Sequence, residues 1–132
     1  MNTNTVTDDI FFRLTVDYGQ YDIQGEGVVE LEARYFCFNR GISSEDAIKE
    51  TEAAGWEAAK IEHLLSHRKT FPGERLKFPI IGLGPVDKVR GNRLVPCLSM
   101  DVFKPDSLSM SRFDGDWLPT SRFLAVRKVS GA

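Results

Sequence analysis

At 132 residues and 14.9 kDa the chain has room for one domain, and its 42% apolar and 27% charged residues exclude a disordered polymer. The longest apolar run is four residues, which excludes a membrane-spanning helix. Net charge is −2, but residues 1–66 hold 13 acidic and 5 basic side chains (−8) and residues 67–132 hold 6 and 12 (+6). The near-neutral total speaks against a dedicated nucleic-acid binder, and the unlike halves suit either an anionic partner or self-association.

Residues 1–8 are polar and expected to fray. From Ile10 to Tyr18, apolar Ile10, Phe12, Leu14, Val16 and Tyr18 alternate with Phe11, Arg13, Thr15 and Asp17, which predicts a strand. A loop follows from Gly19 to Gly27. Val29, Leu31, Ala33, Tyr35 and Cys37 then point one way; Glu30, Glu32 and Arg34 point the other until Phe36 and Phe38 replace them. That is a strand wet on its outer face at the start and covered at the end.

Asn39-Arg40-Gly41 breaks this strand, and Ser43-Ser44-Glu45-Asp46 opens a helix, with a serine to accept first-turn amides and carboxylates at the positive end. Ala47, Ile48, Thr51 and Ala54 form its apolar stripe, and Gly55 ends it. A second helix, with Ala58, Ile61, Leu64 and Leu65 as its inner stripe, stops before Pro72-Gly73. Strands return at Phe78, Ile80, Ile81 and Leu83, at Arg93 to Leu98, where Pro96 implies an edge or a bulge, and at Leu108, Met110 and Arg112, ending in an Asp114-Gly115 hairpin turn. Phe123-Leu124-Ala125-Val126 is apolar on both faces, as a central strand requires.

These elements give an α+β chain forming a single domain over residues 1–132, a mainly antiparallel sheet with two consecutive short helices packed on one face. The N-terminal residues lack a secretion signal, so the expected compartment is the cytoplasm. Cys37 and Cys97 lie in apolar surroundings without a C-x-x-C, so both are expected to be reduced core thiols.

Chemistry-bearing patterns are sparse. His63 and His67, the only histidines, lie four apart and so share one face of the second helix. Leu64 stands where a hydrolytic zinc helix would need glutamate, and no spacing supplies further ligands, so no metal is expected and the rings belong at the polar edge of the buried stripe. Gly82-Leu83-Gly84-Pro85 lacks the third glycine and the helix of a phosphate loop and reads as a strand end. No nucleophile elbow or base-paired cysteine is present, so no catalytic residue and no cofactor is assigned. Asp114-Gly115-Asp116-Trp117 reads as a turn anchored by its indole, or as a binding site in which Trp117 stacks on a ligand while Asp114, Asp116, Arg122 and Arg93 supply polar contacts. Trp56 reads as a core plug.

The stretches Gly27-Val28-Val29-Glu30, Phe38 through Ile48, Phe78-Pro79-Ile80-Ile81-Gly82-Leu83-Gly84 and Arg122 through Lys128 resemble a family of short uncharacterised bacterial proteins, across about Phe12 to Lys128. Ala58 and Lys60 depart from that family's proline and threonine at the second helix start, and Pro85 and Asp87 from its serine and aromatic after Gly84. The resemblance implies no activity. In architecture the chain is also similar to reduced C-type-lectin-like and formylglycine-enzyme-like cores, which implies a binding surface in the loops between Gly84 and Trp117.

The expected function is therefore a small binding module, a homodimer that takes a small-molecule or protein partner through the irregular stretch from Pro85 to Thr120, with no membrane and no nucleic acid. One rival is a small hydrolase-like enzyme using His63 or His67 as a general base. The other is a polyanion binder using Arg68, Lys69, Arg75 and Lys77.

Overall fold

A computed structural model describes residues 11–18, 27–71, 79–84, 87–89, 91–98 and 108–129. The expectations placed on residues 1–8, most of the loop after Gly19, Pro72-Gly73, Arg75, Lys77, Phe78 and the stretches 85–86 and 99–107 lie outside the described residues. In chain order the elements are β1 (Phe12–Asp17), β2 (Val28–Phe36), β3 (Ile42–Ser43), α1 (Ser44–Ala53), β4 (Glu57–Ala58), α2 (Ile61–Thr70), β5 (Ile80–Ile81), β6 (Asp87–Val89), β7 (Asn92–Leu98), β8 (Leu108–Arg112), β9 (Asp116–Trp117) and β10 (Arg122–Lys128). The chain is α+β, with a largely antiparallel sheet.

β1 and β2 pair antiparallel from Phe12↔Ala33 to Asp17↔Val28, and β2 pairs β10 antiparallel from Phe123↔Phe36 to Lys128↔Leu31. On its far side β10 meets β4 antiparallel and β5 parallel. β5 leads to β7, which also pairs β6 and β8. The final strand is thus interior, as its two-sided apolar run predicts: Phe123, Leu124, Ala125 and Val126 are all at most 3% exposed. Each of its large side chains contributes roughly 1.5–3 kcal/mol by leaving water.

Alternation along β10 divides the core. Phe123 and Ala125 join Phe36, Trp56, Ile81, Val95, Phe113 and Ala47 of α1. Leu124 and Val126 join Leu14, Val16, Leu31, Ala33, Leu98 and Leu64 of α2. Neighbours along a strand point to opposite faces, so the helices lie on opposite faces of the sheet. This corrects the expectation that they share one. The reason lies in the link between them: Glu57 and Ala58 enter the sheet beside β10, opposite Val126 and Ala125, and carry the chain through its plane.

Local chemistry sets the bounds of α1. Ser43 caps it, its Oγ accepting the Asp46 N–H at 3.1 Å. At the other end Gly55 takes φ +87°, while its N–H and that of Trp56 donate to Glu52 O and Thr51 O, closing a Schellman turn. α2 ends at Thr70, before the proline that would halt it.

Two further expectations are corrected. β7 is not an edge strand, although it holds Pro96. The Pro96 carbonyl accepts from Gly82 N–H on the β5 side, whereas Arg93 O accepts from Phe113 N–H on the β8 side. Since N–H and C=O of one strand residue face the same way, the missing donor falls at the end of the short β5 ladder and the β8 ladder loses nothing. Nor does Asp114-Gly115 join a hairpin. β8 pairs β7, while β9 pairs β3 in a separate two-stranded sheet, Ile42↔Trp117 and Ser43↔Asp116. Gly115, at φ +102°, redirects the chain between the two sheets.

Candidate functional site

The residues predicted to bind gather around the start of α1. Ser44 is wholly buried, and its Oγ donates to Phe113 O at 2.7 Å while accepting the Trp117 Nε1–H at 2.7 Å. The indole also meets Phe123 edge to face, ring centroids 6.0 Å apart. Trp117 is therefore fixed and hydrogen-bonded, an anchor with one half-exposed flank, and it does not stand free as a stacking platform.

Exposed charges surround this anchor. Arg93 pairs with Asp114 and lies 3.8 Å from Glu45, its guanidinium carbon 4.5 Å from the Phe113 ring centroid. Asp116 is exposed opposite Ser43 across the β3–β9 pair, beside Glu45 and Asp46 in the first turn of α1. Leu118, the next residue after the indole, is 70% exposed. Arg122 does not join this group. It precedes Phe123 in β10 and so points to the other face, where Nη1 donates to Cys37 Sγ. The Cys37 thiol in turn reaches Pro119 O at 3.4 Å.

The histidines depart most from their expected place. Ile61 is 40% exposed, whereas Glu62, His63, Ser66 and His67 are buried together with Leu64. The inner face of α2 is thus largely polar, and the stripe through Ile61 and Leu65 is not the one that packs. Tyrosines from the sheet make this tolerable: Tyr35 Oη lies 2.5 Å from His67 Nε2, and Tyr18 Oη 3.4 Å from His63 Nε2. Phe12, Tyr35 and Phe71 ring the His67 imidazole at centroid distances of 5.2 to 6.0 Å from one another and from it. A hydroxyl at a core-facing strand position calls for a buried polar partner, and that was the signal available at Tyr18 and Tyr35.

His63 has both ring nitrogens engaged. Nδ1 accepts the Lys60 backbone N–H at 2.9 Å, so the neutral ring carries its proton on Nε2, directed at Tyr18. Burial, only partly opposed by the nearby Glu62 and Glu57 carboxylates, pushes its pKa down to about 4. Burial and the same two carboxylates raise that of Tyr18. A general base needs a free lone pair, and the one on His63 is committed to the helix cap.

Cys37 and Cys97 are both free and buried. Trp56 is a core plug, 3% exposed, with the Arg127 guanidinium 4.0 Å from its ring centroid and that of Arg34 5.7 Å away. Among the described residues no three His, Cys, Asp or Glu side chains come together as a metal-ligand set, and no helix is long and apolar enough to cross a membrane. Comparison with protein-family models, with curated proteins and with solved structures finds no match for this chain.

Proposed function

We propose that the chain is a small cytoplasmic binding module, without catalytic chemistry of its own, that docks a basic and partly apolar segment of a partner around Trp117. One observation carries this reading: Glu45, Asp46, Asp114 and Asp116, drawn from separate segments, crowd round a single fixed indole with only Arg93 among them. Four carboxylates against one guanidinium attract a cationic segment. The exposed Leu118 offers it an apolar contact beside them. Because Ser44 and Phe123 hold Trp117, the surface loses little freedom when a partner arrives. The loop surface implied by the lectin-like resemblance falls in the same region. Two free cysteines accord with a reducing compartment.

The experiment is fluorescence anisotropy with a labelled peptide of alternating lysine and leucine, beside a lysine–serine peptide of equal charge and an oligoglutamate. The leucine peptide should bind in a salt-sensitive way, D114N/D116N should weaken it about tenfold, and Leu118→Ser should erase its advantage over the serine peptide. Equal affinity of the wild type and D114N/D116N, or preference for the polyanion, overturns the reading.

A further inference from the structure

The first strand ends the sheet. Among the described residues β1 pairs with β2 alone, through an unbroken register of six residue pairs with no bulge. It contains no proline and no inward-facing charge, the devices that normally blunt an edge. Leu14 and Val16 are wholly buried on the α2 face, while Arg13 and Thr15 are exposed on the other.

The direction of its backbone groups follows from one hydrogen bond. Tyr18 N–H donates to Gly27 O at 2.7 Å, in register with the β1–β2 ladder. Hydrogen-bonded pairs recur at every second residue of an antiparallel ladder, so Val16, Leu14 and Phe12 also face β2. The N–H and C=O groups of Arg13, Thr15 and Asp17 therefore point outward from the sheet.

We propose that this edge joins two copies of the chain by antiparallel β1–β1 pairing, with Thr15 opposite its own twin and Arg13 opposite Asp17 of the second copy. Every outward-facing residue then meets an outward-facing residue, so the pairs at Arg13, Thr15 and Asp17 are hydrogen-bonded ones. The same two-fold register places opposite charges across from each other twice on the exposed face, which stabilises a cross-strand pair. On the α2 face it sets Leu14 against Val16 of the other copy and continues the apolar row. Shifting by two residues either way loses this match: Arg13 then faces its own twin's Thr15, or Asp17 passes beyond the strand. The interface is separate from the surface around Trp117 and stands or falls apart from it.

The test is light scattering coupled to size exclusion, across a series from micromolar to millimolar chain. The wild type should run at twice the 14.9 kDa chain mass. Thr15→Pro removes an outward donor at the two-fold axis, where an edge strand tolerates proline, and should give a monomer with unchanged circular dichroism. Arg13→Asp, which sets like charges opposite each other, should also give a monomer, and the exchange R13D/D17R should restore the dimer. A monomeric wild type overturns the proposal. So does a dimer that survives Arg13→Asp, or an R13D/D17R chain that stays monomeric, whether or not the proline variant folds.

Discussion

The imidazole of His63 caps the helix that carries it: Nδ1 accepts the backbone N–H of Lys60, three residues earlier, at 2.9 Å. This is the place where a capping box puts glutamate or glutamine. Lys60 itself gives the helix no side-chain cap, so the ring does the work that a serine or threonine would do. A protonated imidazole donates at both nitrogens and cannot accept, which ties the start of α2 to the charge state of one buried ring.

Stability should therefore fall as pH drops. The group titrates near its usual 6.5 in the unfolded chain and near 4 when folded, because burial outweighs the pull of Glu62 and Glu57 while Lys60 adds to the depression. Between those values the unfolded chain binds more protons, so unfolding free energy rises with pH and the contribution is complete above about 7. At about 1.4 kcal/mol per pH unit it amounts to about 3 kcal/mol, lost by pH 4. Urea melts of the wild type from pH 7 to 4 should show this loss. His63→Gln keeps an acceptor for Lys60 and should flatten the profile, with Tyr18 as the remaining neighbour.

Ser44→Ala should cost about 1–3 kcal/mol, the price of leaving buried polar groups unpaired. One hydroxyl serves two partners 69 and 73 residues away, the Phe113 carbonyl and the Trp117 indole. Both lose their partner at once, so thermal melting should shift down and Trp117 emission should move toward that of a wetter indole. A melting temperature equal to that of the wild type would mean that water replaces the hydroxyl without loss.

How much of this was legible depended on how local the determining chemistry is. Ser43 and Gly55 act within four residues of themselves, and the two-sided apolar run at Phe123 to Val126 speaks for its own burial, so α1 and the central strand could be read directly. The inner face of α2 could not. What makes Glu62, His63, Ser66 and His67 acceptable inside is largely supplied from the sheet, Tyr35 lying 32 residues from His67 and Tyr18 45 from His63. Periodicity weighs apolarity alone and so turned Ile61 inward. The crossing of the sheet plane rests on Glu57 and Ala58, and two residues carry no period. At the candidate site, clustering of Asp114, Asp116 and Trp117 was visible, but the separation of Arg122 needed the parity of β10, and the tie through Ser44 needed the fold.

Gly84→Ala should destabilise by about 1–3 kcal/mol, the usual cost of forcing atoms into a packed site. The glycine needs no left-handed backbone; its role is close approach. A Cβ there would stand 2.6 Å from Ala59 O, the oxygen that accepts the Gly84 N–H at 2.8 Å. The obstacle is backbone, which cannot swing aside as a side-chain tip can. Gly82→Ala meets the same oxygen at 2.8 Å, with Leu64 also close, and should behave alike. Gly41→Ala, whose Cβ would find only Trp117 O at 3.6 Å, is the control and should melt close to the wild type.

Cys97 should resist alkylation in the folded protein for two reasons that act together. Its side chain is buried among Ile81, Val95 and Phe113 on the α1 face, and that burial pushes the thiol up to about 11, the Ser111 hydrogen bond offsetting only part of the effect. At pH 8 only about one thiol in a thousand would be the reactive thiolate. Iodoacetamide at pH 8, followed by peptide mass mapping, should leave Cys97 unmodified in native protein and label it fully in denaturant. Because access and ionisation both depend on the same packed face, a cavity-forming change such as Val95→Ala should raise native labelling at Cys97 in step with its effect on stability. Rapid labelling of Cys97 in the untouched wild type would mean that the strand pair β5–β7 opens far more readily than its burial implies.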